Sequence, residues 1–245
     1  MPYVSALRRG SICMIRLEHV EARNAMTTQL LGELLDGLTD AAGDAETRCV
    51  VLTGSGGAFS AGPEAREELD VAGHARRREL LGHILELLAS THVPTIAAVH
   101  GACSGGGAEL AASCDIRVAE PTAAFSFTGA STGYPIGAAK LVGLVGLGTA
   151  KDLLLTSRTM AAEEAARVGL VQHLVSDDQA IAVARELAER VVRHDPEAVA
   201  HLKRMLDQFA GVSERIAVEN DTLLTLTRNG GDYAALAPRH RGAPG

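Results

Sequence analysis

His100-Gly-Ala-Cys-Ser-Gly-Gly-Gly-Ala-Glu-Leu-Ala-Ala-Ser-Cys-Asp115-Ile116 runs from the end of an apolar stretch, through three glycines, into a glutamate and an apolar helical pattern. The preceding Thr95-Ile-Ala-Ala-Val99 reads as a fully buried strand, so the segment is a strand-to-helix turn. Glycines there leave backbone amides uncovered, and amides at a helix start attract negative oxygen. Glu109 falls in the first helical turn, between Ala108 and Leu110-Ala-Ala112, apolar neighbours that strip water from it. The combination reads as an oxyanion donor with an acid–base group attached. A carboxylate that only steadies the helix dipole is the simpler alternative.

The same grammar recurs on both sides. Ile12–Leu17 and Cys49–Leu52 read as strands, with a helical spacing over Leu30–Ala42 between them. Thr53-Gly-Ser-Gly-Gly57 is a turn, and Ala58-Phe-Ser-Ala-Gly-Pro63 opens a charged helical stretch with Pro63 fitted to its first turn. Helical spacing resumes over Glu79–Ala89. Asp115–Ala119, Ala124–Phe127 and Gly169–Val175 read as further strands, with a helix over Ala138–Ser157. Beyond Ser176 only helical patterns follow, over Gln179–Arg193, Pro196–Ala210 and Ser213–Asn229, then a loose tail from Pro238. Repeated strand–helix units predict an α/β fold, divided into a core over residues 1–176 and a helical region over residues 177–245. Helices with an apolar face and little chain to bury it predict a homo-oligomer.

Composition narrows the function classes. The 245 residues are 47% hydrophobic, enough for a sizeable core, while aromatics are only 3% and Trp is absent, which disfavours base stacking on nucleic acid. A net charge of −7 disfavours a general polyanion binder. Arg76-Arg77-Arg78 reads as a solvated helix face, with a grip on small-ligand phosphates as the sharper alternative. Cys13, Cys49, Cys103 and Cys114 lack metal-ligand spacing and sit in apolar contexts, so free, buried thiols in a cytoplasmic protein are expected, with no metal site and no membrane span.

Two amides, those of Ala61 and Gly106, could serve one carbonyl oxygen, as an enolate-forming or acyl-transfer site requires. Rival motifs fit less well. The glycine run lacks the Lys and Ser/Thr of a P-loop and the third glycine of a dinucleotide fingerprint. Gly129-Ala-Ser131-Thr-Gly133 matches a serine nucleophile elbow, with Asp177 and His201 in order, but Tyr134-Pro135 stands where its helix should begin. His100 reads as a packed strand-end residue and Asp115 as structural.

Several ordered segments resemble the enoyl-CoA hydratase/isomerase, or crotonase, family. They are Ala22-Arg-Asn-Ala-Met26, Val50-Val-Leu-Thr-Gly54 with Ala58-Phe-Ser-Ala-Gly62, His100–Ile116, Ser157–Val171 and Ala198-Val-Ala-His-Leu-Lys-Arg204. The resemblance implies a spiral of ββα units with a helical C-terminal region that drives trimers or hexamers. It also implies an acyl-CoA thioester substrate, with coenzyme A entering as part of the substrate and no separate cofactor. Its catalytic positions fall on Glu109 and on the amides of Ala61 and Gly106. Arg23 and Arg66 fall near the CoA moiety, with Ala25, Gly105, Gly129, Ser131 and Tyr134 completing the expected substrate-binding set.

Two departures stand out. The family's second catalytic glutamate falls on Gly129, and the usual Pro before it is Thr128. Pro63-Glu64 stands where Ala-Asp is common, a change expected to leave the Ala61 amide free. The resemblance implies 2-enoyl-CoA hydration, with water, Ser131, Thr132 or Tyr134 in place of the missing acid. The alternatives are an isomerisation or other enolate reaction needing only Glu109, and a non-catalytic acyl-CoA binder.

Overall fold

The computed structural model describes residues 2–229. The hairpin β1 (Val4–Arg9) and β2 (Ile12–Leu17) turns at Gly10, whose φ of +59° suits glycine. Helix α1 (Thr28–Gly43) starts where the Thr27 side chain accepts the Leu30 amide at 3.0 Å. Then come three strand–strand–helix units. They are β3 (Cys49–Gly54), β4 (Ala58–Ser60) and α2 (Val71–Ser90); β5 (Thr95–Val99), β6 (Ala102–Ser104) and α3 (Gly106–Ser113); and β7 (Ile116–Ala119), β8 (Ala124–Ser126) and α4 (Gly129–Thr132). The chain continues through α5 (Ala138–Thr156), β9 (Thr159–Ala161), α6 (Ala162–Arg167), β10 (His173–Leu174), α7 (Ala180–Val191), α8 (Pro196–Phe209) and α9 (Val212–Arg228).

Each unit gives its first strand to one sheet and its second to another. The larger sheet runs β1-β2-β3-β5-β7-β10 and the smaller β4-β6-β8-β9. The spiral of ββα units implied by the resemblance is therefore the observed fold. Strands β3 and β5 are buried at every residue because helices cover both faces, which is why they read as unbroken apolar runs. Val50, Leu52, Ala97 and Val99 join the main core, whereas Cys49, Val51, Ile96 and Ala98 face Ala180, Ala184 and Ala188 of α7. Alanines four residues apart let that helix lie close to the sheet. Residue 176 lies between β10 and α7; α7 closes the back of the large sheet, and α9 packs on α2 and α5.

Several local expectations differ from the structure. Pro63 does not start a helix: Met26 and Pro63 form a parallel bridge and the Glu64 amide donates to the Met26 carbonyl, so the chain stays extended. The helix begins at Val71, capped by Asp70, and continues unbroken to Ser90. Strand β1 carries no strand signal in the sequence because five of its six residues are exposed, which removes the alternation that marks a half-buried strand. The strand read over Gly169–Val175 shrinks to His173–Leu174. The tail from Pro238 lies outside the described residues.

Candidate active site

The site grows from the N-terminus of α3. Gly105 takes φ +53°, ψ −122°, and a Cβ on Gly107 would stand 2.7 Å from the Ser60 carbonyl oxygen, so glycine is required at both. Gly106 is the first helical residue; its N–H has no intrahelical acceptor and no partner among the described residues. It opens into a cavity of about 100 Å³ lined on one side by Gly105, Gly106 and Glu109, and on the others by Met26, Pro63, His74, Arg78, Thr128 and Tyr134.

Glu109 is fully buried. Its Oε2 accepts from Arg78 Nη1 at 3.3 Å, and its Oε1 lies 3.7 Å from Lys140 Nζ without a hydrogen bond. Each cation is held from behind by α9: Lys140 Nζ is 3.3 Å from Glu219 Oε1, and Arg78 Nη2 donates to Asn220 Oδ1 at 2.9 Å. Glu219 Oε2 also accepts the Ala139 amide at 2.8 Å. The result is a buried chain of alternating charge, Arg78–Glu109–Lys140–Glu219. Burial, and then the Arg77 guanidinium, hold His74 below the usual histidine range. Among the described residues, no group of three or more His, Cys, Asp or Glu side chains is placed to hold a metal ion.

Gly105, Gly106, Glu109 and Tyr134 thus meet in one cavity. Ala61 does not join them. Its N–H donates to the Arg23 carbonyl at 2.9 Å, so the expectation that this amide is free is corrected. The Gly62 amide donates to Ser60 Oγ at 3.3 Å, Pro63 has no N–H, and the Glu64 amide is taken by Met26. No backbone donor is left on this edge. The cause is the close run of residues 23–26 beside residues 61–64, which pairs their backbones. Arg23 and Arg66 lie on the exposed rim of that pairing, Arg66 clasping Glu64 at 3.1 Å, while Ala25 is buried behind it.

Gly129 leaves no room for an acid, because a Cβ there would stand 2.1 Å from the Tyr134 carbonyl oxygen and 2.8 Å from the Ile136 amide nitrogen. Ser131 is exposed, outside the cavity, and its hydroxyl donates to the Thr128 carbonyl at 2.8 Å. Among the described residues no His or Asp is hydrogen-bonded to it, so no triad is assembled at the nucleophile-elbow motif there. Thr132 Oγ1 likewise donates to the Thr128 carbonyl, at 3.0 Å, and Tyr134 Oη donates to the Leu223 carbonyl at 2.8 Å.

The solvated face expected of the arginine cluster holds only for Arg76, which is exposed; Arg77 and Arg78 are each 8% exposed, and Arg78 reaches Glu109. Lys140 was missed altogether. The available signal was a lone cation in the apolar run Ala138-Ala-Lys140-Leu-Val142, a placement that calls for a buried partner. His100 is a hydrogen-bonded strand-end residue, its Nε2 2.9 Å from the Gly56 carbonyl oxygen, and Asp115 is tied to Thr95 and Lys203. No helix among the described residues is long and apolar enough to cross a membrane.

Comparison with known proteins agrees with this fold. The sequence pattern described as "Enoyl-CoA hydratase/isomerase" matches residues 8–225. An enoyl-CoA hydratase of Mycobacterium tuberculosis, EchA19, is 33% identical over 95% of this chain and 90% of its own. A short-chain-enoyl-CoA hydratase of Clostridium acetobutylicum is 33% identical over 82% of this chain and 79% of its own. The crystal structure of a monofunctional enoyl-CoA isomerase from M. smegmatis superimposes with a TM-score of 0.75 at 31% identity, covering 89% of this chain and 99% of that one. With the spiral of ββα units, the glycine-rich start of α3 and a match over nearly its whole length, the chain belongs to the enoyl-CoA hydratase/isomerase family.

Proposed function

We propose that the protein acts on an acyl-CoA thioester and moves a double bond along the acyl chain, with Glu109 carrying the proton. One observation carries this reading: among the described residues Glu109 is the sole carboxylate lining the cavity, and Gly129 has no space for a second. Hydration of a 2-enoyl thioester needs one group to activate water and another to deliver a proton. Relocating a double bond needs one group that takes a proton and gives it back. Glu109 removes a proton from C2 of a 3-enoyl thioester, and the C–H electrons pass into a dienolate whose charge rests on the thioester oxygen. The same carboxyl then protonates C4, leaving the double bond between C2 and C3. The Gly106 N–H faces the growing oxyanion, a contact worth about 2.7–4 kcal/mol in such sites. Arg78 and Lys140 hold the carboxylate in place from two sides.

Arg23 and Arg66 are proposed as rim contacts for the CoA phosphates, since both are exposed beside Met26 and Pro63 at the cavity mouth. The apolar residues Leu202, Leu206 and Phe209, exposed on α8, support association of copies of this chain. The test of function supplies a 3-enoyl-CoA and follows the rise in ultraviolet absorbance as the double bond becomes conjugated. Turnover that falls by about 10³ or more in Glu109→Gln, with acyl-CoA affinity retained, is the expected result. Efficient hydration of crotonyl-CoA without isomerisation would overturn it.

A further inference from the structure

Residues 61–64 leave no amide for the thioester oxygen, and Gly106 at the start of α3 supplies one backbone donor to the cavity. We infer that the Thr128 side-chain hydroxyl is the second donor, in place of the N–H that Pro63 lacks. This rests on the reading that a thioester oxygen sits at Gly106. Thr128 lines the same cavity as Gly105, Gly106 and Glu109. It precedes α4, where a threonine ordinarily turns its hydroxyl onto a helix amide, yet its side chain makes no such bond. Its carbonyl is heavily used, accepting from Ser131 Oγ, the Thr132 amide and Thr132 Oγ1. Its hydroxyl has no hydrogen-bond partner among the described residues. Ser131, Thr132 and Tyr134, the other hydroxyls considered for this loop, all spend theirs on backbone carbonyls. Among the described residues that line the cavity, Thr128 alone offers an uncommitted O–H.

Its position matches the loss. A Cβ built on Gly105 would lie 3.3 Å from Pro63 Cδ and 3.6 Å from Thr128 Oγ1, so both atoms flank the glycine that leads into Gly106. The proline Cδ occupies the direction an amide hydrogen would take. The two departures noted in the sequence, Pro63 and Thr128, therefore meet across one glycine, one removing a donor and the other supplying it. The hydroxyl hydrogen points to the thioester oxygen as negative charge grows there. No bond to Thr128 forms or breaks.

The experiment compares Thr128→Val, which keeps the shape and loses the hydroxyl, with Thr128→Ser, Pro63→Ala and the double variant Pro63→Ala/Thr128→Val. Two readouts are taken on variants whose thermal unfolding shows them folded: isomerisation of a 3-enoyl-CoA, and the infrared carbonyl stretch of bound crotonyl-CoA, which reports polarisation without turnover. Thr128→Val is expected to lower kcat by about 10²–10³ with little change in KM, and to return the stretch toward its free value. Thr128→Ser should retain most of both, and the double variant should recover at least about tenfold over Thr128→Val as the amide is restored. An unchanged stretch and a kcat within about twofold in Thr128→Val overturn the inference, as does an equal loss in Thr128→Ser or a folded double variant with no recovery. If the wild type polarises the carbonyl but turns nothing over, the proposed isomerisation fails and the stretch in Thr128→Val alone decides the role of Thr128. A wild type that leaves the carbonyl unpolarised overturns both.

Discussion

Replacing Lys140 with methionine tests the buried charge chain. Lys140 is 5% exposed, and its ammonium stands 3.3 Å from Glu219 and 3.7 Å from Glu109. At an effective dielectric constant of about 20, each contact is worth roughly 4–5 kcal/mol before the cost of removing the ions from water. That cost is already met in the folded protein for all four charges. Lys140→Met removes the attraction and keeps the volume, leaving Glu219 buried with only the Ala139 amide, and Glu109 with only Arg78. Breaking a buried pair from one side costs about 3–5 kcal/mol, which for a chain of this size lowers Tm by roughly 6–20 °C. Lys140→Met/Glu219→Gln should recover most of that loss, because glutamine still accepts the Ala139 amide and carries no charge. Urea unfolding with the m-value held constant measures both variants. A Lys140→Met protein within about 1 kcal/mol of wild type, or a double variant no better than the single one, would refute the claim that Lys140 neutralises these carboxylates.

Gly129→Ala should destabilise the fold by about 1–3 kcal/mol or more, since its Cβ would begin 2.1 Å from a backbone oxygen; thermal unfolding checks this. For the same reason Gly129→Glu is expected to yield no hydratase, which a crotonyl-CoA assay reads directly. Burial pushes the Cys49 and Cys114 thiols up to about 12 and raises Cys103 further, so at pH 7 to 9 all three remain protonated. A thiol-reactive disulfide reagent should leave them unlabelled in the folded protein and titrate all four cysteines after denaturation. Rapid labelling of the native protein would contradict that burial.

The sequence by itself determined the fold class, the strand-to-helix turn at Gly105–Gly107, the placement of Glu109 and the absence of an acid at residue 129. These are local facts. Fully buried strands, a glycine run entering a helix and a helical period can each be read within a few neighbouring residues, and the ordered segments around them carried the family. Tertiary structure alone decided which donors the site has. Whether the Ala61 amide is free depends on a carbonyl 38 positions away in the chain, at Arg23, and nothing in residues 58–64 announces that pairing. The destination of Arg78 was equally hidden. Three consecutive arginines look alike in sequence, yet one helical turn sends Arg76 to solvent and Arg78 onto Glu109. Lys140 and Glu219 find each other across 79 residues only because α9 folds back over α5. Short-range pattern specifies elements and their apolar faces. The partners of buried polar groups are fixed by how those elements pack, because an amide or ammonium withdrawn from water bonds to whatever the fold brings within reach.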